Sequence, residues 1–325
     1  MSLASTADAL MSDSANLGEV QSRKPLAPLT RYHLGGSAEW FVRPQDTRQL
    51  AEVIARCRSA NVPMRVLGGG ANLLVDDEGV DGVVVHLDAP SFSSIQWVPD
   101  VTISAGAVSH EPVLVRVGAG VDMARLTLES VRRGLAGLEC MAGIPGSIGG
   151  IIRMNAGGRW GEISNVVQDV SVIDASGELR TLGRDEAGFS YRHTRLKGEI
   201  VCGATLRLMP DDPAEVERRY QDIWAAKKAA QPLGAHSAGC VFKNPPGDSA
   251  GRLIDAAGLK NRRIGTAEVS GAHANFIVAR KGGRARDVLE LIGLVQRTVA
   301  DRFGVDLELE IEVWKKEDAR EGIPA

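Results

Sequence analysis

Between residues 138 and 158 the chain runs LECMAGIPGSIGGIIRMNAGG, and no long helix or regular strand tolerates that density of glycine around Pro145. Such a stretch is backbone that turns tightly or lets another group come close. A second cluster, Gly68, Gly69 and Gly70 in VLGGGANLLV, removes three side chains where the strand-like run MRVL ends. Backbone N–H groups bared in this way can converge on a diphosphate, and Ser147 adds a hydroxyl to the longer loop. Each loop alone reads equally well as a plain turn; two in one chain favour a large phosphate-bearing cofactor. Neither matches GxGxxG and GxxxxGK[ST] is absent, so the Rossmann and P-loop readings both fail.

Periodicity orders the rest. DTRQLAEVIARCRSANVP reads as a helix capped by Thr47, with Leu50, Val53, Ile54 and Cys57 on its apolar stripe. GVVVHL and VLVRVGAG read as strands, VDMARLTLESVRRG as a helix closed by Gly134, VQDVSVIDASGELRTL as a hairpin and IVCGATLRL as a strand. At MPDDPAEVERRYQDIWAAKKAAQPLG the composition changes. Asp212 is the cap, Pro213 the first helical residue and Glu215 the capping-box partner. This helix is expected to open a separate domain containing the helix SAGRLIDAAG and the strand ANFIVA. A second long helix there carries Val288, Leu291, Ile292, Val295 and Val299 on one face and ends at Gly304. The closing segment VDLELEIEVW alternates, with Val305, Leu307, Leu309, Ile311 and Val313 opposite Asp306, Glu308, Glu310 and Glu312. Its glutamates share a face: either a solvated edge or carboxyls whose mutual repulsion raises their pKa.

At 325 residues the chain has room for two or three domains, each with its own core. Lys plus Arg is 38 and Asp plus Glu is 41, a net charge of −3 that gives no field for nucleic acid or anionic lipid. Neither partner is expected, nor is an obligate protein partner. The cysteines at 57, 140, 202 and 240 lack CxxC spacing, which argues against zinc or a disulfide framework and suits a reducing cytoplasm. His33 and His236 have no second ligand at helical or loop spacing, so no metal site is expected. The polar opening MSLASTADALMSDSAN lacks the basic start and apolar run of a signal peptide, and no segment approaches a membrane span. Cytoplasmic localisation is expected, with 1–23 as a disordered tail and 317–325 as a second tail.

HSAGCVFKNPPG, residues 236–247, is a loop by its glycines and prolines. A lone cysteine is most often a buried filler, whereas a thiol in a polar turn can also move a proton. Composition leaves both open for Cys240.

Taken in order, LTRYHLGGSAEWFVRP, RVLGGGANLLV, GLECMAGIPGSIGG with MNAGG, SYRHTRLK, SAGCVFKNP and HANFIVA give the chain a specific resemblance, over roughly residues 24–314, to the UDP-N-acetylenolpyruvoylglucosamine reductases. The compact stretch from Cys202 to Cys240 is similar to the shorter subgroup of that family. The resemblance implies an α+β fold: a vanillyl-alcohol-oxidase/PCMH-like FAD-binding unit of two subdomains, 24–90 and 91–211, plus a C-terminal α+β substrate-binding domain, 212–305. The last strand, about 306–316, would rejoin the first subdomain. Non-covalent FAD would be held by Leu67, Gly68, Gly69, Gly70, Ala71, Asn72 and Leu73. It would also be held by Gly143, Ile144, Pro145, Gly146, Ser147, Gly149 and Gly150, with Asn155 and Ala156. NADPH would donate hydride, and UDP-N-acetylglucosamine enolpyruvate would be reduced to UDP-N-acetylmuramate.

The resemblance also implies roles. Arg192, in SYRHTRLK, matches the family arginine that meets the substrate carboxylate, and Glu310 the catalytic glutamate. Cys240 stands where the family usually has the serine that protonates the inner carbon; a thiol, with a reference pKa of about 8.5, keeps that role. Tyr191 would line the substrate pocket, and Lys243 and Asn244 would lie near the nucleotide diphosphate. Lys227 and Lys228 could assist with phosphate or lie on a solvated helix face, and His273 could be a buried hydrogen-bonded histidine. His236 stands where proline is common, Ala279 where asparagine is common, and Ile151 and Arg153 where a smaller and an aromatic residue are usual. The remaining readings are another FAD oxidoreductase of the same cofactor fold and a catalytically altered nucleotide-binding relative.

Overall fold

The computed structural model describes residues 16–104 and 111–316; residues 1–15 and the expected tail 317–325 lie outside the described residues. The expectation of a disordered tail over 1–23 is corrected for 16–23. Leu17 is fully buried, and Glu19–Pro25 forms strand β1, antiparallel to Ser37–Arg43, β2. EVQSRKP shows no apolar alternation because it is an edge strand whose side chains mostly face solvent, and the backbone ladder holds it.

Helix α1, Thr47–Ser59, buries Leu50, Val53, Ile54 and Cys57 as its stripe requires. Its cap is Asp46, not the expected Thr47: Asp46 is still extended and its carboxylate accepts from the Gln49 N–H at 2.8 Å. Strands β3, Met64–Leu67, and β4, Leu73–Val75, flank the glycine turn. Strand β5, Val80–His86, lies between β2 and β3 and runs parallel to both, in the sheet order β1-β2-β5-β3. Consecutive valines suit such a position because both faces of a central parallel strand are covered, and Val83, Val84 and Val85 are all buried.

The second sheet is antiparallel throughout. Its main path is β6, Ile95–Val98; β7, Val113–Gly118; β8, Val167–Ile173; β9, Leu179–Gly183; and β10, Ile200–Pro210, with the short strand Leu135–Ala136 pairing with the end of β10. Its order is β9-β8-β10-β7-β6, with β8 and β9 forming the expected hairpin. Helix α2, Met123–Arg132, and the short α3, Ile148–Arg153, pack with this sheet, and one apolar core runs through both sheets from Val42 to Leu208.

Helix α4, Pro213–Ala230, starts at the expected cap, with Asp212 accepting from the Ala214 and Glu215 N–H groups. It does not open the third unit, however. It packs on α2 and on the 3-10 turn Glu139–Met141. Val216, Ile223 and Lys227 are its buried residues, too few to found a separate core. The third core gathers α5, Ala250–Ala256, and α6, Ala285–Phe303, with a three-stranded sheet of β11, Arg263–Ile264, β12, Ala267–Val269, and β13, Ile277–Ala279. Tyr32, Leu34 and Leu74 of the first unit join it.

The closing segment is not one long strand. Between 305 and 311 its backbone bonds to the 241–243 loop: Lys243 N–H to Glu308 O and Glu310 N–H to Val241 O, each at 2.8 Å. Only Glu312–Trp314, β14, forms a ladder, parallel to β4. The segment therefore ties the third unit to the glycine turn of the first.

Candidate active site

A cavity of about 670 Å³ lies where these units meet, within the range of small-molecule and cofactor sites. Leu67 through Leu73 line it, as do Gly143 through Ser147, Gly149, Gly150 and Ala156. The two glycine loops touch. The Gly69 N–H donates to Ser147 Oγ at 3.1 Å, and a Cβ on Gly69 would stand 2.9 Å from Gly146 Cα. Among the described residues, the N–H groups of Gly68, Gly70, Ala71, Asn72, Gly146 and Ser147 have no protein acceptor. Bare, convergent donors suit an anionic linker such as a diphosphate. Asn72 has a second task, since its Nδ2 donates to Glu310 O at 2.9 Å.

Asn155 is turned away from the cavity. It is fully buried, in the left-handed region at φ 46°, and its Nδ2 donates to Glu162 Oε2 and Ser190 O while its Oδ1 accepts from the Ser164 N–H. It holds the turn Ser190–His193, whose end residues exchange backbone bonds, with Arg192 at its apex at φ 52°. A non-glycine residue held there marks a site that the surroundings constrain.

Arg192, Cys240 and Glu310 all line the cavity. Arg192 Nε lies 2.8 Å from Glu310 Oε1, and the Arg192 NH2 group donates to Gly157 O at 2.7 Å. Burial pushes the Glu310 carboxyl above its ordinary pKa, against the lowering pull of Arg192 and of Lys243. The expected cause, repulsion between like charges along the segment, is corrected: Glu308 reaches out to Lys243 with its side chain 72% exposed, and burial raises Glu310. Cys240 is positioned by its neighbours. Asn275, buried, accepts the Phe242 N–H on its Oδ1 and donates to Phe242 O, while Val241 O accepts from Glu310. Burial and the Glu310 carboxylate push the thiol up to about 12, against Arg192, so it rests protonated.

Tyr191, Lys243 and Asn244 do not line the cavity; they cluster beside Arg192. The Tyr191 ring lies 5.1 Å under the guanidinium, and its hydroxyl accepts from the Asn244 N–H at 3.3 Å. Lys228 is exposed, but Lys227 is buried against backbone carbonyls rather than aimed at the cavity. His273 is half-buried and accepts from the Asn275 N–H on Nδ1. Two of the departures from the family pattern are partners, since His236 O accepts from the Ala279 N–H at 2.9 Å. Ile151 and Arg153 both line the cavity, and Arg153 donates to Leu196 O.

Sequence reasoning missed His86 and Asp88 on the cavity wall, where Arg43 grips Asp88 with two bonds of 2.8 Å. His86 inside GVVVHL and Asp88 directly after it were the available signal. It missed Asn275 too, although HANFIVA contains it. No group of three or more His, Cys, Asp or Glu able to hold a metal occurs among the described residues. None of their helices is long and apolar enough to cross a membrane.

Residues 38–183 match the family model of an FAD binding domain. Together with the glycine cradle, this defines the class: an FAD-containing oxidoreductase. Residues 231–314 match the model of the UDP-N-acetylenolpyruvoylglucosamine reductase C-terminal domain. The chain is 40% identical over 310 residues to UDP-N-acetylenolpyruvoylglucosamine reductase 2 of Symbiobacterium thermophilum, covering 95% of this chain and 96% of that one. It is 41% identical over 299 residues to the Heliobacterium modesticaldum reductase, covering 91% of each. The crystal structure of the Thermus caldophilus reductase superposes with a TM-score of 0.75 at 39% identity, over 91% of this chain and 99% of that one. The chain belongs to the UDP-N-acetylenolpyruvoylglucosamine reductase family, flavoproteins of peptidoglycan precursor synthesis. Its fold is α+β, an FAD-binding unit with the family's C-terminal domain.

Proposed function

We propose that the protein reduces the enolpyruvyl group of UDP-N-acetylglucosamine enolpyruvate, giving UDP-N-acetylmuramate, with NADPH as the electron source and the cytoplasm as its compartment. The observation that carries this reading is the meeting of Cys240, Arg192 and Glu310 in the cavity that the two glycine loops line. The loops 67–73 and 143–150 would hold FAD, with the bare N–H groups on its diphosphate. When bound, FAD supplies the hydride, received from NADPH, that adds to the terminal methylene carbon.

As that C–H bond forms, the electron pair of the C=C bond moves to the inner carbon and spreads into the pyruvyl carboxylate. Arg192, permanently charged, grips that carboxylate and stabilises the added charge in place. To do so it shares or gives up its contact with Glu310. A buried carboxylate that loses its cation takes up a proton, and Glu310 then donates a hydrogen bond to the enolate. Cys240 gives its Sγ proton to the inner carbon, completing a methyl group next to a C–H centre. The thiolate left behind faces Arg192 and is reprotonated from solvent. Because the thiol rests neutral, the proton is present when it is needed. Tyr191, Lys243 and Asn244, beside Arg192, would hold the nucleotide end of the substrate, with lysine acting as a point charge on phosphate.

Mixing the enzyme with NADPH and the enolpyruvyl sugar nucleotide tests the reading: nicotinamide absorbance should fall beyond the amount that reduces the bound flavin only when the sugar nucleotide is present. Oxygen consumption without NADPH would instead favour an oxidase on the same cofactor fold.

A further inference from the structure

We infer that Lys227 is a positioning residue for the cofactor: its ammonium fixes the turn that leads into the Gly143–Ser147 loop to the helix that leads into the Cys240 loop. The inference rests on the reading that this loop holds FAD. Residues 216, 223 and 227 recur on one face of α4 at helical spacing, and that face is buried. Val216 and Ile223 are apolar; the third position is a lysine, 4% exposed. An ammonium in such a place is costly unless it is bonded. Lys227 Nζ donates to Ala142 O at 2.6 Å and to Cys140 O at 3.3 Å, and it lies 5.4 Å from the centre of the Trp160 ring. Neither carbonyl accepts another hydrogen bond among the described residues. Burial lowers the amine to about 8, as a desolvated cation requires.

The two carbonyls, of Cys140 and Ala142, belong to the turn that leads into Gly143, which is left-handed at φ 72° and lies beside Trp224, one turn before Lys227; a Cβ there would stand 3.1 Å from that ring. From the far end of α4 the chain continues through Gln231, Pro232 and Leu233, which line the cavity, and on to Cys240. One side chain therefore holds the loop with bare N–H groups at a set distance from the loop with the thiol. A leucine or methionine would fill the same space but leave two carbonyls without donors and the loop free to shift.

Apoprotein stripped of FAD and titrated with it, followed by flavin fluorescence, tests this directly. Lys227→Met should weaken FAD binding by about tenfold or more, the equivalent of losing one to two hydrogen bonds. Lys227→Arg, which can still reach the carbonyls, should stay within about threefold of wild type. Should the methionine variant not fold, Trp160→Leu removes the ring beneath the ammonium, and the same titration should show weaker FAD binding. Methionine or leucine variants that bind FAD as tightly as wild type would overturn the role of Lys227. A wild-type protein that takes up no FAD would instead fault the cofactor reading on which the inference stands.

Discussion

Arg192 and Glu310 meet with Nε and Oε1 2.8 Å apart, and their side chains are only 12% and 13% exposed. The pair joins a left-handed turn of the middle unit to the closing segment of the chain, across 118 residues of sequence. A charge-assisted bond in that setting keeps both groups ready. On the proposed function, the Glu310 carboxylate would hold the guanidinium until the substrate carboxylate arrives, and burial would favour protonation of a carboxyl that loses its cation.

Proton uptake should therefore accompany substrate binding. Glu310 already has its pKa raised in the free enzyme by burial, held back by Arg192. Sharing Arg192 with the substrate raises it further, so the complex binds more protons than the free enzyme between the two values. Affinity is then fully present below the free-enzyme pKa and falls as pH rises through the pKa of the complex. Calorimetric titration in two buffers of different ionisation enthalpy, repeated across the pH range in which the enzyme is folded, should show a window of proton uptake by the wild type and none by Glu310→Gln. Equal heats in both buffers for the wild type across that range would contradict this.

Cys240 should be a slow thiol. Burial pushes it up to about 12, and the thiolate is the reactive form. Iodoacetamide labelling of the Cys240 peptide should be slow near neutral pH and rise about tenfold per pH unit, with no plateau below about pH 10. Fast labelling that is flat between about pH 7 and 9 would mean a resting thiolate and would remove the proton donor.

The glycine loops should separate stability from cofactor binding. At Gly70, φ is 57° and a Cβ would stand 2.0 Å from Leu29 O, so Gly70→Ala should destabilise the apoprotein by about 2 kcal/mol or more. At Gly150 a Cβ meets no protein atom within 4 Å and points into open space beside the cavity. Gly150→Ala should leave apoprotein stability unchanged or raised by about 0.5 kcal/mol while weakening FAD binding. Thermal unfolding and FAD titration of both variants check the contrast.

Asn155 should act on catalysis through Arg192. Asn155→Ala removes three hydrogen bonds from a buried position and leaves the buried Ser164 N–H without its acceptor, while Ser190 O keeps only the His193 N–H, a loss of about 2–4 kcal/mol in unfolding free energy. With Ser190 O released, the turn carrying Arg192 loosens, so kcat should fall even at temperatures where the variant is fully folded. A variant with lowered stability but wild-type kcat would restrict Asn155 to the scaffold.

Much of this was legible from local signals where a single element decided the matter: the stripe of α1, the valines of β5, the β8–β9 hairpin and the two glycine loops. Where distant segments decided, local signals failed. Alternation in VDLELEIEVW made Glu308, Glu310 and Glu312 equivalent, and only the Arg192 turn distinguishes the buried one. β1 has no apolar pattern because an edge strand needs none. Lys227 sat at a core position of α4 yet read as a phosphate ligand or a solvated lysine, since the carbonyls it serves lie more than 80 residues away. The resemblance singled out Arg192 and Cys240 inside quoted motifs and Glu310 by its match to a family glutamate, and the structure adds that Asn155, Asn275 and Asn72 hold the backbone from which they project.

The proposed mechanism turns on delivery of the proton by the Cys240 thiol. Rapid mixing of FAD-loaded enzyme separates reduction of the flavin by NADPH from its reoxidation by the enolpyruvyl sugar nucleotide. Cys240→Ala should keep the first step at its wild-type rate and slow the second by about a hundredfold or more, and Cys240→Ser should retain most of both. Reoxidation of the alanine variant at the wild-type rate would contradict the account.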